Sequence, residues 1–158
     1  MTIPDETSFG AADLMLRLGA ATLCGLMIGF EREVRGKDAG LRTHALVALS
    51  SAVITVSALS LYAAVRADGG DADPLRVIQG LAQAIGFIAA GAIIVMRGDV
   101  RNLTTAASVW LSAALGIAAG AAQYRLVAAA LALAFAVLIL VGLLKRHILP
   151  DKHRSDDD

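Results

Sequence analysis

Four uninterrupted stretches of about twenty residues contain no Asp, Glu, Lys or Arg. A charged side chain at mid-bilayer costs about 2.5–3.5 kcal/mol, and about twenty helical residues cross the hydrocarbon core. These stretches are therefore predicted to be transmembrane helices, at residues 45–65, 77–96, 103–122 and 126–144. A fifth predicted span, residues 11–30, holds only Asp13 and Arg17. Because these two lie four residues apart, we expect them to pair on one helix face near the membrane surface.

Composition agrees with a protein embedded in a lipid bilayer. Hydrophobic residues make up 57% of the 158 residues, and charged residues make up 18%. The 14 basic and 14 acidic residues cancel, so no basic surface for nucleic acid is expected. We predict an all-α fold, a polytopic bundle of five transmembrane helices. Because the connection at residues 123–125 is short, four spans with a long, broken last segment are the alternative.

The distribution of Lys and Arg predicts the orientation. Ten of the 14 basic residues fall after the first predicted span, after the third and in the tail, and Lys and Arg favour the cytoplasmic side. We therefore expect the N-terminus outside and the C-terminus in the cytoplasm. The predicted organisation is an extracytoplasmic segment 1–10, a transmembrane domain 11–145 and a polar cytoplasmic tail 146–158. No basic region precedes Arg17, so the first segment is expected to stay in the mature protein.

An internal repeat relates two parts of the chain. Residues 20–52 align with residues 82–114 without a gap, and both contain Arg-Gly, four residues, then Leu-x-Thr-x-Ala. The repeat predicts that the first four spans form two helical hairpins of the same orientation, a parallel repeat about an axis along the membrane normal. The turn at residues 40–44 is then expected to face residues 102–106 at the cytoplasmic side.

Small residues recur at helical spacing within the predicted spans. In lipid, such residues allow helix backbones to approach closely. One interpretation is contact within the monomer, and the other is the seam of a homodimer. The predicted packing residues are Gly25, Gly29, Gly86, Gly91, Ser112, Gly116 and Gly120.

Several blocks of sequence resemble the MgtC/SapB family of bacterial inner-membrane proteins. They are residues 29–33 (GFERE), 39–44 (AGLRTH), 86–87 (GF), 103–107 (LTTAA) and Trp110. The resemblance covers about residues 14–145 and implies a multi-pass protein of the bacterial inner (plasma) membrane. It also implies a link to magnesium homeostasis and growth in low magnesium and, in pathogens, to survival inside phagocytes. One branch of the family inhibits the membrane ATP synthase, and other members are labelled as magnesium-transport components.

The chain departs from the family pattern at three positions. Ala84 and Ala89 replace glycines of the family's third span, and Asn102 stands where the family usually has Gly. The chain ends soon after the fifth predicted span. We therefore expect a short form that lacks the soluble C-terminal domain of longer members.

Polar residues cluster around the first and third loops. They are Glu31, Arg32, Glu33, Asp38, Arg42, Thr43, His44, Asn102, Thr104 and Thr105. One interpretation is a network of ion pairs that orients the helix ends. Another is a polar vestibule in which Glu31, Glu33 and Asp38 bind magnesium weakly, since this cation takes one or two carboxylates and keeps several waters. Arg42, at the start of a helix, is also a candidate for holding an anion such as phosphate.

The chemistry of an enzyme is not indicated. No nucleophile with a base in reach and no pair of aspartates at membrane depth is evident, and Cys24 lies in an apolar stretch. We expect no resident cofactor apart from weakly bound magnesium. Two hypotheses follow. In the first, the protein acts by contact with another membrane complex, for which the resemblance suggests ATP synthase. In the second, it is a small oligomeric carrier or channel for magnesium or another ion.

Overall fold

Helices account for most of the structure. The computed structural model describes residues 9–96 and 99–141. Five α-helices follow one another in this part of the chain: α1 (Ala11–Val34), α2 (Leu41–Ala67), α3 (Leu75–Gly91), α4 (Leu103–Gly120) and α5 (Tyr124–Ala136). A π-helical turn, Val137–Val141, continues α5. The predicted tail, residues 1–8 of the N-terminal segment and the end of the fifth predicted span lie outside the described residues.

Three of these helices are long and apolar enough to cross a membrane. They are α1, α2 and α4, with 24, 27 and 18 residues. At 1.5 Å per residue, they are about 36, 40 and 27 Å long, against a hydrocarbon core of about 30 Å. The apolar helices Leu75–Gly91 and Tyr124–Leu140 are shorter. A largely helical fold with three helices long and apolar enough to span a membrane is thus confirmed, whereas the count of five spans stays a prediction.

The third predicted span is wrong at its C-terminal end. Helix α3 ends at Gly91, and a short antiparallel hairpin of β1 (Ile94–Met96) and β2 (Asp99–Arg101) follows. β-Branched residues such as Ile94 and Val95 lose rotamer freedom in a helix, and they pack well in strands. The mostly helical part of the all-α prediction is confirmed, and this short hairpin is an element that the prediction did not include. In β2, the Asp99 carboxylate accepts a hydrogen bond from Arg101 Nε (2.8 Å) and raises the pKa of Arg101.

The centre of the molecule is formed by α1, α2 and α4, and glycines of α1 and of α4 bring each of these helices against α2. A Cβ atom at Gly29 would lie 2.7 Å from Leu41 Cα, and one at Gly120 would lie 2.8 Å from the Ala52 carbonyl oxygen. A Cβ atom at Gly25 would likewise overlap the backbone of α2 at His44, and one at Gly116 would overlap the backbone at Ala48. These contacts make α1 antiparallel to α2, and α2 parallel to α4. Backbone approach of this kind is how helices associate in lipid.

Helix α3 lies outside this close packing. Leu81, Ile85 and Ala89 are its buried residues, whereas Phe87 is 84% exposed. A Cβ at Gly86 or Gly91 would meet no atom within 4 Å, which differs from the expectation that these glycines mark a close helix contact. The second hairpin of the predicted repeat is therefore packed more loosely than the first. The repeat itself stays a prediction.

An apolar groove separates α3, α4 and α5. Its volume is about 230 Å³. Its lining includes Leu81 and Ile85 of α3, Trp110 and Ala114 of α4, and Leu126 of α5. Trp110 is 46% exposed at this position. The outer helices thus leave an oily surface that is suited to lipid or to another helix.

Candidate functional site

The polar residues gather where α1 ends and where α2 and α4 begin. We call this region, residues 31–44 and 102–108, the His44 end. Because α2 and α4 run in parallel, both of their first turns lie at this end. A hydrogen bond of 2.6 Å from Asn102 Nδ2 to Asp38 Oδ2 joins the two preceding loops. The structure therefore brings the first and third loops together, as the sequence led us to expect.

His44 lies at the centre of this end and is fully buried. Its Nδ1 donates to the Gly40 carbonyl oxygen at 2.8 Å, so this nitrogen carries a hydrogen. Its Nε2 lies 3.1 Å from Ser108 Oγ, and Ser108 Oγ lies 2.8 Å from the Thr105 carbonyl oxygen. The single hydroxyl hydrogen of Ser108 can serve only one of these two acceptors at a time. His44 is thus a buried polar link between α2 and α4.

Arg32 is also buried at this end, and its neighbour Glu31 is a partly buried residue whose two carboxylate oxygens are buried. Arg32 is 3% exposed, and its Nη1 lies 3.7 Å from Glu31 Oε2, which is too far for a hydrogen bond. Within residues 9–96 and 99–141, Arg32 Nε and Nη2 have no hydrogen-bond partner. Glu31 forms an ion pair with Arg35, but the geometry makes no hydrogen bond to either carboxylate oxygen. Two opposite charges are therefore held in the protein without the hydrogen bonds that normally accompany buried charges.

Glu33 has a structural role. Its Oε2 accepts a hydrogen bond of 2.8 Å from the backbone N–H of Leu41, the first residue of α2. Such a carboxylate satisfies one of the free N–H groups of the first turn and interacts favourably with the helix dipole. Gly40 lies directly beneath the carboxylate, where a Cβ atom would overlap it. The first turn of α2 is thus capped from the end of α1.

The three acidic residues proposed for magnesium therefore point to three different partners. Glu31 contacts Arg35, Glu33 caps α2 and Asp38 accepts from Asn102. Among the residues that the structure describes, no group of three or more His, Cys, Asp or Glu is placed to hold a metal ion. Weak binding through one carboxylate and several waters stays a prediction.

The remaining predicted residues separate into exposed and buried ones. Arg42, Thr43 and Thr104 are exposed, whereas Thr105 is 2% exposed. An anion held by Arg42 would therefore lie at the surface of the protein. Asn102, which departs from the family pattern, has φ +66° just before α4. This left-handed conformation is one that Asn tolerates better than most residues with a side chain.

Sequence reasoning missed Ser108, together with a row of buried hydroxyl groups between the helices. Ser51 and Thr55 of α2 donate to the carbonyl oxygens of Val47 and Ser51, each at 2.8 Å. Ser112 donates to the carbonyl oxygen of Ser108 at 3.1 Å. The signal for Ser108 was its spacing, since it lies four residues before Ser112 on the face of α4 that also carries Gly116.

The opposite end of the bundle contains one well-bonded arginine. We call this region, around residues 9–17 and Gly120, the Arg17 end. Arg17 Nε donates to Asp13 Oδ2 at 2.8 Å, and Arg17 Nη1 donates to the Gly120 carbonyl oxygen at 2.8 Å. The guanidinium also stacks over the Phe9 ring at 4.1 Å. The predicted Asp13–Arg17 pair is present, and it additionally ties α1 to the C-terminus of α4.

Comparison with known proteins identifies close sequence relatives. A profile of the MgtC family matches residues 18–147. Protein SapB of Bacillus subtilis (strain 168) is 36% identical over 147 residues, which cover 92% of this chain and 63% of SapB. The putative magnesium transporter YhiD of Escherichia coli (strain K12) is 39% identical over 116 residues, covering 73% of this chain and 54% of YhiD. Protein MgtC of Brucella abortus (strain 2308) is 44% identical over 104 residues, covering 66% and 41%.

The relatives are longer than the parts of them that this chain matches. The chain spans less than two thirds of the length of each of these three proteins. No solved structure matches it. The blocks that contain Arg32 and His44 lie inside the region that the family profile covers.

Proposed function

The chain belongs to the MgtC family, and we propose from this premise that it serves magnesium homeostasis by lateral contact with another membrane complex. The family and its relatives support a membrane protein linked to magnesium. Contact with a partner is the more specific part of the proposal. The resemblance suggests ATP synthase as that partner. We place the protein in the bacterial inner membrane, with the N-terminus outside and the C-terminus in the cytoplasm.

The observation that carries the proposal is the closed centre of the bundle. Glycines bring α1, α2 and α4 into backbone contact, which leaves little space for an ion path between them. The hydroxyls of Ser51, Thr55 and Ser112 in this interface are bonded to carbonyl groups of their own helices. No Asp, Glu, Lys or Arg occurs at residues 18–30, 43–65 or 103–120. Ion-coupled carriers place such residues inside the membrane, so this interior is typical of a scaffold.

The outer helices provide a surface for the partner. Phe87 on α3 is 84% exposed, and Leu133 on α5 is 68% exposed. Between these helices lies the apolar groove with Trp110, which has a volume of about 230 Å³. Such an apolar surface also contacts lipid, and the experiment below separates these two uses. A homodimer through the same surface is a further form of the proposal.

Site-specific crosslinking tests the contact. A photoreactive amino acid at Phe87 is expected to crosslink one defined protein in native membranes. The same group at Met15 on α1, which is 71% exposed, is the matched control and should capture lipid only. Purified protein in vesicles that contain a magnesium-sensitive dye should show no flux above that of empty vesicles. Identical crosslinking patterns at the two positions, together with magnesium flux, would contradict the proposal.

The alternative is a small oligomeric ion carrier with its polar site at the His44 end. The observation that favours it is Glu31, a buried carboxylate without a hydrogen-bond partner among the described residues. One relative, YhiD, is also named a putative magnesium transporter. This alternative predicts that Glu31→Gln weakens magnesium binding in a calorimetric titration. Glu33→Gln, which changes a carboxylate already used as a helix cap, is the control and should leave the affinity unchanged.

Cysteine accessibility tests the orientation. In a Cys24→Ala background, a single cysteine introduced at position 153 should react only with reagents that reach the cytoplasm. Labelling of that cysteine from outside intact cells would reverse the proposed orientation of the C-terminus.

A further inference from the structure

Along one edge of the Arg32 guanidinium, the N–H groups donate no hydrogen bond to any described residue. Its Nη1 faces Glu31 at 3.7 Å, whereas Nε and Nη2 have no hydrogen-bond partner among the described residues. In a planar guanidinium, the Nε–H and one N–H of Nη2 point in the same direction along one edge. Two parallel donors at this spacing match two oxygens of one oxyanion. The free edge is thus a bidentate donor that is 3% exposed.

We expect a ligand at Arg32 because its guanidinium is buried and its Nε and Nη2 have no hydrogen-bond partner among the described residues. A buried charge without hydrogen bonds is strongly disfavoured, and buried guanidinium groups normally have acceptors in place. Arg17, on the same helix, shows that this bundle can supply them: it has a carboxylate and a carbonyl oxygen at 2.8 Å. At Arg32 the described protein supplies a carboxylate only at 3.7 Å from Nη1, and no acceptor for Nε or Nη2. An oxyanion from outside the chain would provide both missing bonds.

The surrounding charges favour an anion over a cation. Glu31 is the acidic group closest to Arg32, and it is already paired with Arg35. Two guanidinium groups therefore share one carboxylate, which leaves one positive charge in excess. His44 does not change this balance in its neutral form, since its Nδ1–H is bonded to the Gly40 carbonyl oxygen.

The position of Arg32 identifies the type of anion. Helix α1 ends at Val34, so Arg32 lies in its last turn. In a helix that spans a bilayer, the last turn lies at the level of the lipid phosphates. We infer that the free edge of Arg32, at the end of α1, is a binding site for a phosphate oxyanion from an anionic lipid headgroup or from inorganic phosphate. The site is distinct from exposed Arg42, and it does not depend on the proposed partner contact.

Two binding arms distinguish the sources of phosphate. The full chain is purified in a maltoside detergent and a phosphate-free buffer. In the first arm, radiolabelled inorganic phosphate is titrated and saturable binding is measured. In the second arm, phosphatidylglycerol or diacylglycerol is added, and the lipid that stays bound is counted by native mass spectrometry. Saturable binding in the first arm identifies free phosphate, and retention of phosphatidylglycerol over diacylglycerol identifies a headgroup. No binding in either arm overturns the inference.

Substitutions locate the site. Arg32→Lys keeps the charge but removes the paired donors, and we expect it to weaken binding about 10- to 100-fold, as loss of a charge-assisted bidentate bond does. Arg17→Lys is the matched control on the same helix and should bind as the wild type does. Equal binding by the Arg32→Lys and wild-type proteins overturns the inference.

A second variant decides the question if Arg32→Lys does not fold. Glu31→Gln removes the only negative charge next to the guanidinium in the described structure. We expect it to strengthen phosphate binding about fivefold, because the opposing charge is lost. Unchanged or weaker binding by this variant contradicts a site at Arg32.

Discussion

The two ends of helix α1 use the same residue type in opposite ways. At the Arg17 end, the guanidinium bonds a carboxylate and the last carbonyl of α4, so it fastens two helices together. At the His44 end, Arg32 is more deeply buried than the Arg17 side chain, but it makes no hydrogen bond through Nε or Nη2 within the described structure. The difference is that two arginines of one helix have unequal numbers of hydrogen bonds, and we base the inferred binding role of Arg32 on it. The number of bonds that the arginine makes separates a fastening residue from a binding residue.

The largest change in stability is expected for a substitution of His44. This residue links α2 to α4 at the His44 end, whereas Arg32 at the same end makes no such link in the described structure. His44→Ala removes a fully buried ring and the contact between α2 and α4. We expect the free energy of unfolding to fall by about 2–4 kcal/mol, from the cavity and from the lost bonds. Denaturation with SDS in mixed micelles, followed by circular dichroism, measures this change. Ser50→Ala, at an exposed serine of the same helix, should change stability by less than about 0.5 kcal/mol.

Arg17→Met tests the fastening end. The substitution keeps an unbranched side chain but removes the bonds to Asp13 and to the Gly120 carbonyl oxygen. We expect a loss of about 1.5–3 kcal/mol, which is typical for hydrogen bonds made by charged groups. The same denaturation experiment applies, and Arg42→Met, at an exposed position, is the control. A stability equal to that of the wild type would mean that Arg17 does not fasten α1 to α4.

Glu33→Ala tests the cap that α1 provides for α2. The Leu41 N–H would lose its carboxylate acceptor, and the first turn of α2 would fray. We expect a loss of about 0.5–2 kcal/mol, the range for helix caps. Glu33→Gln retains an acceptor oxygen and should recover most of that loss. Equal destabilisation by both substitutions would show that the carboxylate charge, rather than the hydrogen bond, is what α2 requires.

Arg32→Met has the smallest expected effect and gives the sharpest comparison with Arg17→Met. Replacing a buried charge that lacks hydrogen bonds with an apolar side chain of similar length removes a desolvation penalty and few contacts. We expect the free energy of unfolding in phosphate-free buffer to be unchanged or to rise by about 1 kcal/mol. Added phosphate or phosphatidylglycerol should stabilise the wild type but not this variant, because only the wild type binds the ligand. A large loss of stability without ligand would mean that Arg32 is structural, as Arg17 is.

Part of the fold was predictable because lipid restricts which residues are tolerated. The start of α4 at Leu103 agrees with the prediction, since the apolar run begins there. The apolar run marks the start of α2 less well, because the run begins at residue 45, whereas the helix begins at Leu41, next to Arg42, which the sequence placed at a helix start. The extra turn contains Arg42 and Thr43, and Glu33 on another helix caps it. A hydropathy pattern indicates which residues lie deep in the membrane. It does not predict a polar helical turn that is stabilised by a side chain of another helix.

The sequence predicted which residues form the candidate site, but not which partner each of them contacts. The sequence placed Glu31, Glu33 and Asp38 in one polar cluster, but they have different partners in the structure. Ser108 was missed because a serine in an apolar helix usually bonds its own backbone. Its approach to His44 depends on the parallel packing of α2 and α4 through Gly116 and Gly120.

The sequence alone determined the class of protein, because charged residues are excluded from lipid wherever they occur along the chain, and the motifs alone were enough to indicate the family. Only the tertiary structure decided which polar groups are satisfied. Hydrogen bonds depend on positions within a few tenths of an ångström, and those positions arise when glycines allow three helices to meet. Arg17 and Arg32 are chemically identical in the sequence, and packing alone gives one of them its acceptors and leaves the other without acceptors for Nε and Nη2 among the described residues.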